Sequence, residues 1–162
     1  MFFGKNKLKI YYRKTAEVTS PEINSKGDWI DLYTPTYHGV PYKSNELRKL
    51  NLGIAMKLPK GMEAILAFRS STGPDYHIIM PNGIGVIDSS FCGDSDVWKL
   101  PFYTLKDGVI TGGSRLCQFR IQLSQKATIL QKLRWLFASG IELVEVEHLD
   151  DINRGGFGTT GK

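Results

Sequence analysis

Arg69, Ser70 and Ser71 stand together in "AFRSST", at the end of a strand-like run. A guanidinium beside two hydroxyls is a set suited to phosphate oxygens. Asp88 follows the apolar run in "PNGIGVIDSSFCGD", where a carboxylate is costly to bury without a task or a partner. Arg115 and Gln118 share the strand entry "GSRLCQF", and "GDWIDL" holds Asp28 and Asp31. Each cluster also has a bland reading. The Arg-Ser pair suits a surface turn, Asp88 can cap a turn with Ser89 and Ser90, and Arg115 and Gln118 can be structural.

The chain ends in "NRGGFGTTGK". Gly156 to Lys162 spells G-x-x-x-x-G-K, but a P-loop needs a following helix to meet the phosphates and a Ser/Thr after the Lys to reach Mg²⁺. Neither follows Lys162, so the P-loop reading fails. What is left is a segment rich in backbone N–H groups, with Thr159 and Thr160 as hydroxyl donors and Arg154 as a bidentate cation. Phe157 is the odd residue in so polar a stretch, and a planar base would give it a stacking partner. The expectation is a lid over 153–162, mobile without ligand and ordered with it. An RNA-binding tail of the Arg-Gly-Gly kind is the weaker alternative, since only one copy is present.

At 162 residues, with 41% hydrophobic and 23% charged residues, the chain reads as one globular domain. A net charge of +5 favours an anionic partner without choosing among nucleotide, nucleic acid and acidic surface. No run approaches the roughly 20 apolar residues of a membrane span, and the N-terminus has no signal-peptide pattern. Cys92 and Cys117 show no pairing or metal-ligand spacing. A reduced, cytoplasmic chain is expected.

Short β-type segments punctuated by Gly, Pro and Asn must position these clusters. "KLKIYY", "DWIDLYT", "NLGIAMKLP", "MEAILAF", "HIIMP", "IGVIDSSF", "SRLCQFRIQL" and "GIELVEVEHL" read as strands. Hairpins are predicted at Pro59-Lys60-Gly61 and at Pro81-Asn82-Gly83. Many short strands without alternating helices predict an all-β sandwich or barrel. One amphipathic helix interrupts them over about 126–139. Ile129, Leu130, Leu133, Leu136 and Phe137 recur at helical spacing, and Gly140 follows as a stop. That stripe is expected to plug an open end of the sandwich or to pack on a neighbouring subunit.

Taken in order, the clusters resemble the five motifs of the trimeric deoxyuridine triphosphatase (dUTPase) family: "GDWIDLYT", "FRSST", "PNGIGVIDSSFCGD", "GSRLCQF" and "RGGFGTTG". The wording is similar to the branch of Gram-positive bacteria and their phages. The resemblance implies a distorted jelly-roll β domain over 1–152, the lid over 153–162, and a homotrimer whose active sites are shared between chains. It implies hydrolysis of dUTP to dUMP and pyrophosphate with Mg²⁺ on the triphosphate, and no direct binding of nucleic acid. By resemblance Asp88 is the general base. Arg69, Ser70, Ser71 and Gln118 contact phosphates, and Asp31 holds Mg²⁺-bound water from the second shell. Asn82, Gly83 and Ile87 read uracil. Phe91 stacks under the deoxyribose, where the family usually has Tyr. Arg154 meets the γ-phosphate, although it abuts Gly155 where the usual motif has two intervening residues. Phe157, Gly158, Thr159 and Thr160 complete the lid. Two rivals share parts of this pattern: a dCTP deaminase-like enzyme, which lacks the "GGFG" lid, and a phage-type regulatory protein whose basic helix binds a repressor.

Overall fold

The structure, a computed structural model, describes residues 6–36, 38–150 and 154. In chain order its strands are β1 (Leu8–Lys14), β2 (Glu22–Ile23), β3 (Ile30–Leu32), β4 (Val40–Tyr42), β5 (Leu47–Lys57) and β6 (Met62–Phe68). A short helix α1 (Thr72–Tyr76) precedes β7 (Ile78–Ile79), β8 (Gly85–Asp88), β9 (Val97–Thr104), β10 (Gly108–Ile110) and β11 (Cys117–Leu123). Helix α2 (Ile129–Leu136) and β12 (Ile141–Glu145) complete the order. The strands form two larger sheets, β12-β1-β5-β9-β7 and β2-β3-β11-β6-β8, with β4 and β10 as a separate pair.

The two sheets enclose one core. Along β1, Leu8, Ile10 and Tyr12 turn inward while Lys9 and Tyr11 face out, the period-2 pattern of a half-buried strand. Trp98 on β9 meets Phe119 on β11 edge-to-face, with ring centroids 5.0 Å apart, and this contact joins the sheets. Both rings are buried, so truncating either to Ala should cost about 3–5 kcal/mol. Strand β5 carries an irregularity between Asn51 and Ala55 that centres on Gly53. There φ is +67° and an added Cβ would meet Ala16 and Pro35 at 3.1 and 3.2 Å, so both conformation and space require glycine.

Two sequence expectations need correction. Neither predicted hairpin is one. Strands β5 and β6 flank Pro59–Gly61, yet β5 is paired by β1 and β9 while β6 is paired by β11 and β8. The turn therefore carries the chain from one sheet to the other. Likewise β7 pairs β9 and β8 pairs β6, although Asn82-Gly83 does reverse the chain with Gly83 at φ +67°. Turn residues encode a reversal, but the partner strand is set by which sheet edge remains open.

The helix exists, shorter than predicted, and its apolar stripe does not plug the sandwich. Thr128 and Gln131 form a reciprocal capping box at its start. Ile129, Leu130, Leu136 and Phe137 are exposed, whereas Trp135 and Ala138 pack against the core. No helix among the described residues is long and apolar enough to cross a membrane.

Candidate active site

The sequence clusters gather into two groups at opposite ends of β6. At one end Asp31 on β3 lies directly across from Gln118 on β11, and Cys117 lies across from Phe68, the last residue of β6. Arg69 extends that ladder by donating its amide to Leu116 O at 3.0 Å. The register thus gathers the first, second and fourth motifs around one carboxylate. Asp31 is 1% exposed, and its Oδ1 accepts from Arg69 Nη1 while its Oδ2 accepts from Arg115 Nη1 at 3.2 Å. A buried carboxylate must be paired, and here two guanidiniums neutralise it. Both arginines remain partly exposed, at 26% and 44% of the side chain, so their outer faces can meet an anion. Ser70 and Ser71 are exposed beside them, and Gln118 Nε2 reaches Phe68 O at 3.5 Å. Cys117 beneath this group is inert, because burial, then the charge of Asp31, pushes its thiol pKa up.

At the other end stands Asp88, exposed, at the end of β8 and across from Glu63 at the start of β6. Arg154 Nη1 donates to Asp88 Oδ2 at 2.6 Å and to Ser90 Oγ at 2.8 Å. Phe91 is half-buried against the core, its amide donating to Asp88 O at 3.0 Å. Ile87 points inward to the core, whereas Asn82 and Gly83 are exposed in the turn before β8. β8 is the edge strand of its sheet. Phe157, Gly158, Thr159 and Thr160 lie outside the described residues.

Glu63 marks the position of Asp88, and Arg69 lies just past the far end of the same strand. At ~3.3 Å per residue that is about 20 Å of backbone. Within one chain, therefore, Asp88 and the arginine pair do not face each other across a single phosphate. Sequence reasoning grouped Arg115 with Gln118 but gave it no partner, and it passed over Asp94 and Asp96. Asp94 Oδ1 accepts from Leu149 N at 2.8 Å and its Oδ2 meets His148 Nδ1 at 3.0 Å. These bonds, that of His148 foremost, hold its carboxyl pKa below the ordinary value. No spacing rule announces such a contact, because its partners are more than fifty residues away.

No family model matches the chain. The sequence is 40% identical over 156 residues to the SPbeta prophage-derived deoxyuridine 5'-triphosphate nucleotidohydrolase of Bacillus subtilis (strain 168), covering 95% of this chain and 97% of that protein. It is 34% identical over 143 residues to the deoxyuridine 5'-triphosphate nucleotidohydrolase of Finegoldia magna, covering 86% and 87% of the two chains. Among solved structures, the dUTPase of Streptococcus mutans matches with a TM-score of 0.62 at 16% identity, covering 72% of this chain and 98% of that one. The dUTPase from phage phi11 of Staphylococcus aureus matches with a TM-score of 0.61 at 16% identity, covering 74% and 94%. The structural likeness shows the fold, and the sequence identity spans nearly the whole of this chain and of its Bacillus relative. The chain belongs to the deoxyuridine 5'-triphosphate nucleotidohydrolase (dUTPase) family.

Proposed function

We propose that this protein hydrolyses dUTP to dUMP and pyrophosphate, with Asp88 as general base and Arg69 and Arg115 on the phosphates. This would keep uracil out of DNA and supply dUMP for thymidylate synthesis. The observation that carries the reading is the cradle itself: two partly exposed guanidiniums aimed by one buried carboxylate, in a chain that also exposes Asp88. A water held at Asp88 attacks the α-phosphorus. Its proton passes to the carboxylate as the P–O bond to the β-phosphate breaks, and pyrophosphate leaves with the bridging oxygen. Ser70, Ser71 and Gln118 add neutral donors to the phosphates. The edge strand β8 and the Asn82-Gly83 turn offer backbone groups to uracil, whose two acceptors and one donor differ from cytosine. Phe91 lies under the sugar, and Arg154 turns from Asp88 to the γ-phosphate.

The residues present fit Mg²⁺ carried by the nucleotide. Among the described residues no group of three or more His, Cys, Asp or Glu is placed to cage a metal, and Mg²⁺ favours phosphate oxygens and waters over an all-protein site. Bound there, it would neutralise developing charge on the phosphates. In this reading Asp31, whose two oxygens are held by Arg69 and Arg115, would receive a metal-bound water once an arginine has turned toward phosphate. Coordination of a structural Mg(II) ion has been described for the phage phi11 enzyme.

The separation along β6 supports a site shared between copies, with Asp88 of one chain completed by the arginines of another, as in a homotrimer. Mixing Asp88→Asn with Arg69→Ala, each inactive alone, should restore activity, because some sites then draw both intact halves. No recovery after refolding the mixture would place the whole site in one chain. The activity itself is tested by pyrophosphate release with Mg²⁺: rapid from dUTP, slight from dCTP, dTTP and UTP. Equal turnover of all four would overturn the specificity. The exposed stripe of α2 favours a second, compatible role in binding a protein such as a phage repressor. Structures of the phage 80alpha dUTPase are described as showing control of virulence-gene transfer. An absence of turnover with any nucleotide would make that role the principal one.

A further inference from the structure

We propose that the outer face of the β2-β3-β11-β6-β8 sheet takes a second copy of this chain head-to-tail, with Glu63 of one chain pairing Arg120 of the next. The inference rests on the reading of a site shared between copies, and it names the surface and the ion pair that hold the two halves in register.

Alternation gives this sheet two unlike faces. Phe119 and Ile121 of β11 and Ala64 and Leu66 of β6 turn into the core. On the opposite face the register stacks side chains in rows. One row runs Gln122, Glu63, Asp88, and the next runs Arg120, Ile65, Val86. One step further, Gln118 lies across from Asp31. Val86 is 58% exposed on the edge strand β8, and Ile65 beside it is only half-buried.

Glu63 and Asp88 are like charges directly opposite one another, which costs a sheet stability unless cations answer them. Arg154 answers Asp88. Gln122 Nε2 donates to Glu63 Oε1 at 2.7 Å, which fixes that carboxylate without neutralising it. Among the described residues Glu63 forms no ion pair. Arg120 is its converse. The side chain belongs to an exposed residue, its guanidinium lies over the Trp29 ring at 6.0 Å from the centroid, and among the described residues it has no carboxylate partner. Stacking occupies the flat of the guanidinium and leaves its N–H edge free.

For Asp88 of one chain to meet the arginines of the next, its row must lie over the neighbour's Gln118–Asp31 row. Glu63 stands one strand from Asp88, about 5 Å away, and Arg120 stands two residues from Gln118 on the same face, about 7 Å away. The overlap that completes the site therefore brings Glu63 within side-chain reach of the neighbour's Arg120. Val86 and Ile65, in the adjacent row, give the contact its apolar centre. The two surfaces differ, so the contact is heterologous, and it closes into a ring when the rotation between copies allows.

The test is cross-linking in the full-length protein. Glu63→Cys and Arg120→Cys chains, co-expressed and treated with a short bis-maleimide, should give a product of twice the chain mass. Neither variant alone should exceed the background of wild type, whose Cys117 is buried and Cys92 half-buried. A product from either variant alone would mean that like surfaces meet, and no product in any sample would remove the contact; both overturn the proposal. Charge reversal gives a second readout. Glu63→Arg sets like charges across the contact and should raise the concentration at which the assembly half-dissociates on the order of a hundredfold, as light scattering on dilution reports. Adding Arg120→Glu to the same chain should recover most of that shift. An unchanged half-dissociation concentration in Glu63→Arg would overturn the pairing. Neither readout needs activity, so a wild type that cross-links as expected but turns over no dUTP would sink the catalytic reading and leave the surface standing.

Discussion

Asp88→Asn should lower dUTP turnover about 10³-fold, within the range a general base contributes, while leaving the fold in place. Asparagine keeps the shape and one acceptor oxygen, so a water can still dock, but an amide cannot take its proton. The stability side of the argument is as specific. The Asp88 side chain is 55% exposed, and its ion pair with Arg154 lies at the surface. Pairs of that kind are worth about 0–1 kcal/mol, so the melting temperature should move by no more than a few degrees. Initial rates of pyrophosphate release and a thermal melt on the same sample decide it. A variant that melts normally and retains full turnover would remove Asp88 from the chemistry.

The separation of Asp88 from the arginines shows what could be read in the sequence. The motifs and their order were legible because each is a short run of the right donors: Arg69-Ser70-Ser71, Asp88, Arg115 with Gln118. The β character of most strands was legible too, through alternation in β1, β6 and β11. Partnership was not. Pro59-Lys60-Gly61 and Asn82-Gly83 look like hairpin turns, and whether the next strand pairs back or crosses the sandwich depends on edges filled by residues far away, β9 among them. β9 escaped notice because Pro101 interrupts "VWKLPFYT", and proline removes a ladder donor. α1 was hidden by Gly73 and Pro74, which a first helical turn tolerates. The α2 stripe is legible as apolar and helical, but the choice between plugging the sandwich and packing on a neighbouring subunit is not, because periodicity reports a face and not its cover; in the chain itself the stripe is exposed. Trp135, outside that stripe, makes the contact.

Asp31→Asn should have the largest combined effect on stability and activity, and its pattern separates two roles for one carboxylate. The Asp31 side chain is 2% exposed and both oxygens are engaged, one by Arg69 and one by Arg115. Asparagine offers one acceptor and turns an NH₂ group toward a guanidinium, leaving two cations side by side with no counter-charge. Removing one member of a buried pair costs about 3–5 kcal/mol. The exposed faces of Arg69 and Arg115 let them turn to water, which brings the expected loss to about 2–3 kcal/mol, or roughly 5–10 °C in melting temperature for a domain of this size. Turnover should fall chiefly through a raised KM, since the arginines lose their aim before substrate arrives. Added pyrophosphate should recover more stability in the variant than in wild type, because the anion supplies the charge that Asp31 gave. If Asp31 served only a metal-bound water, the signature would differ: an unchanged melting temperature, a lower kcat and a shifted Mg²⁺ requirement. Calorimetry with and without pyrophosphate, beside a Mg²⁺ titration of turnover, tells the two apart, and a stable variant with normal KM would refute the cradle.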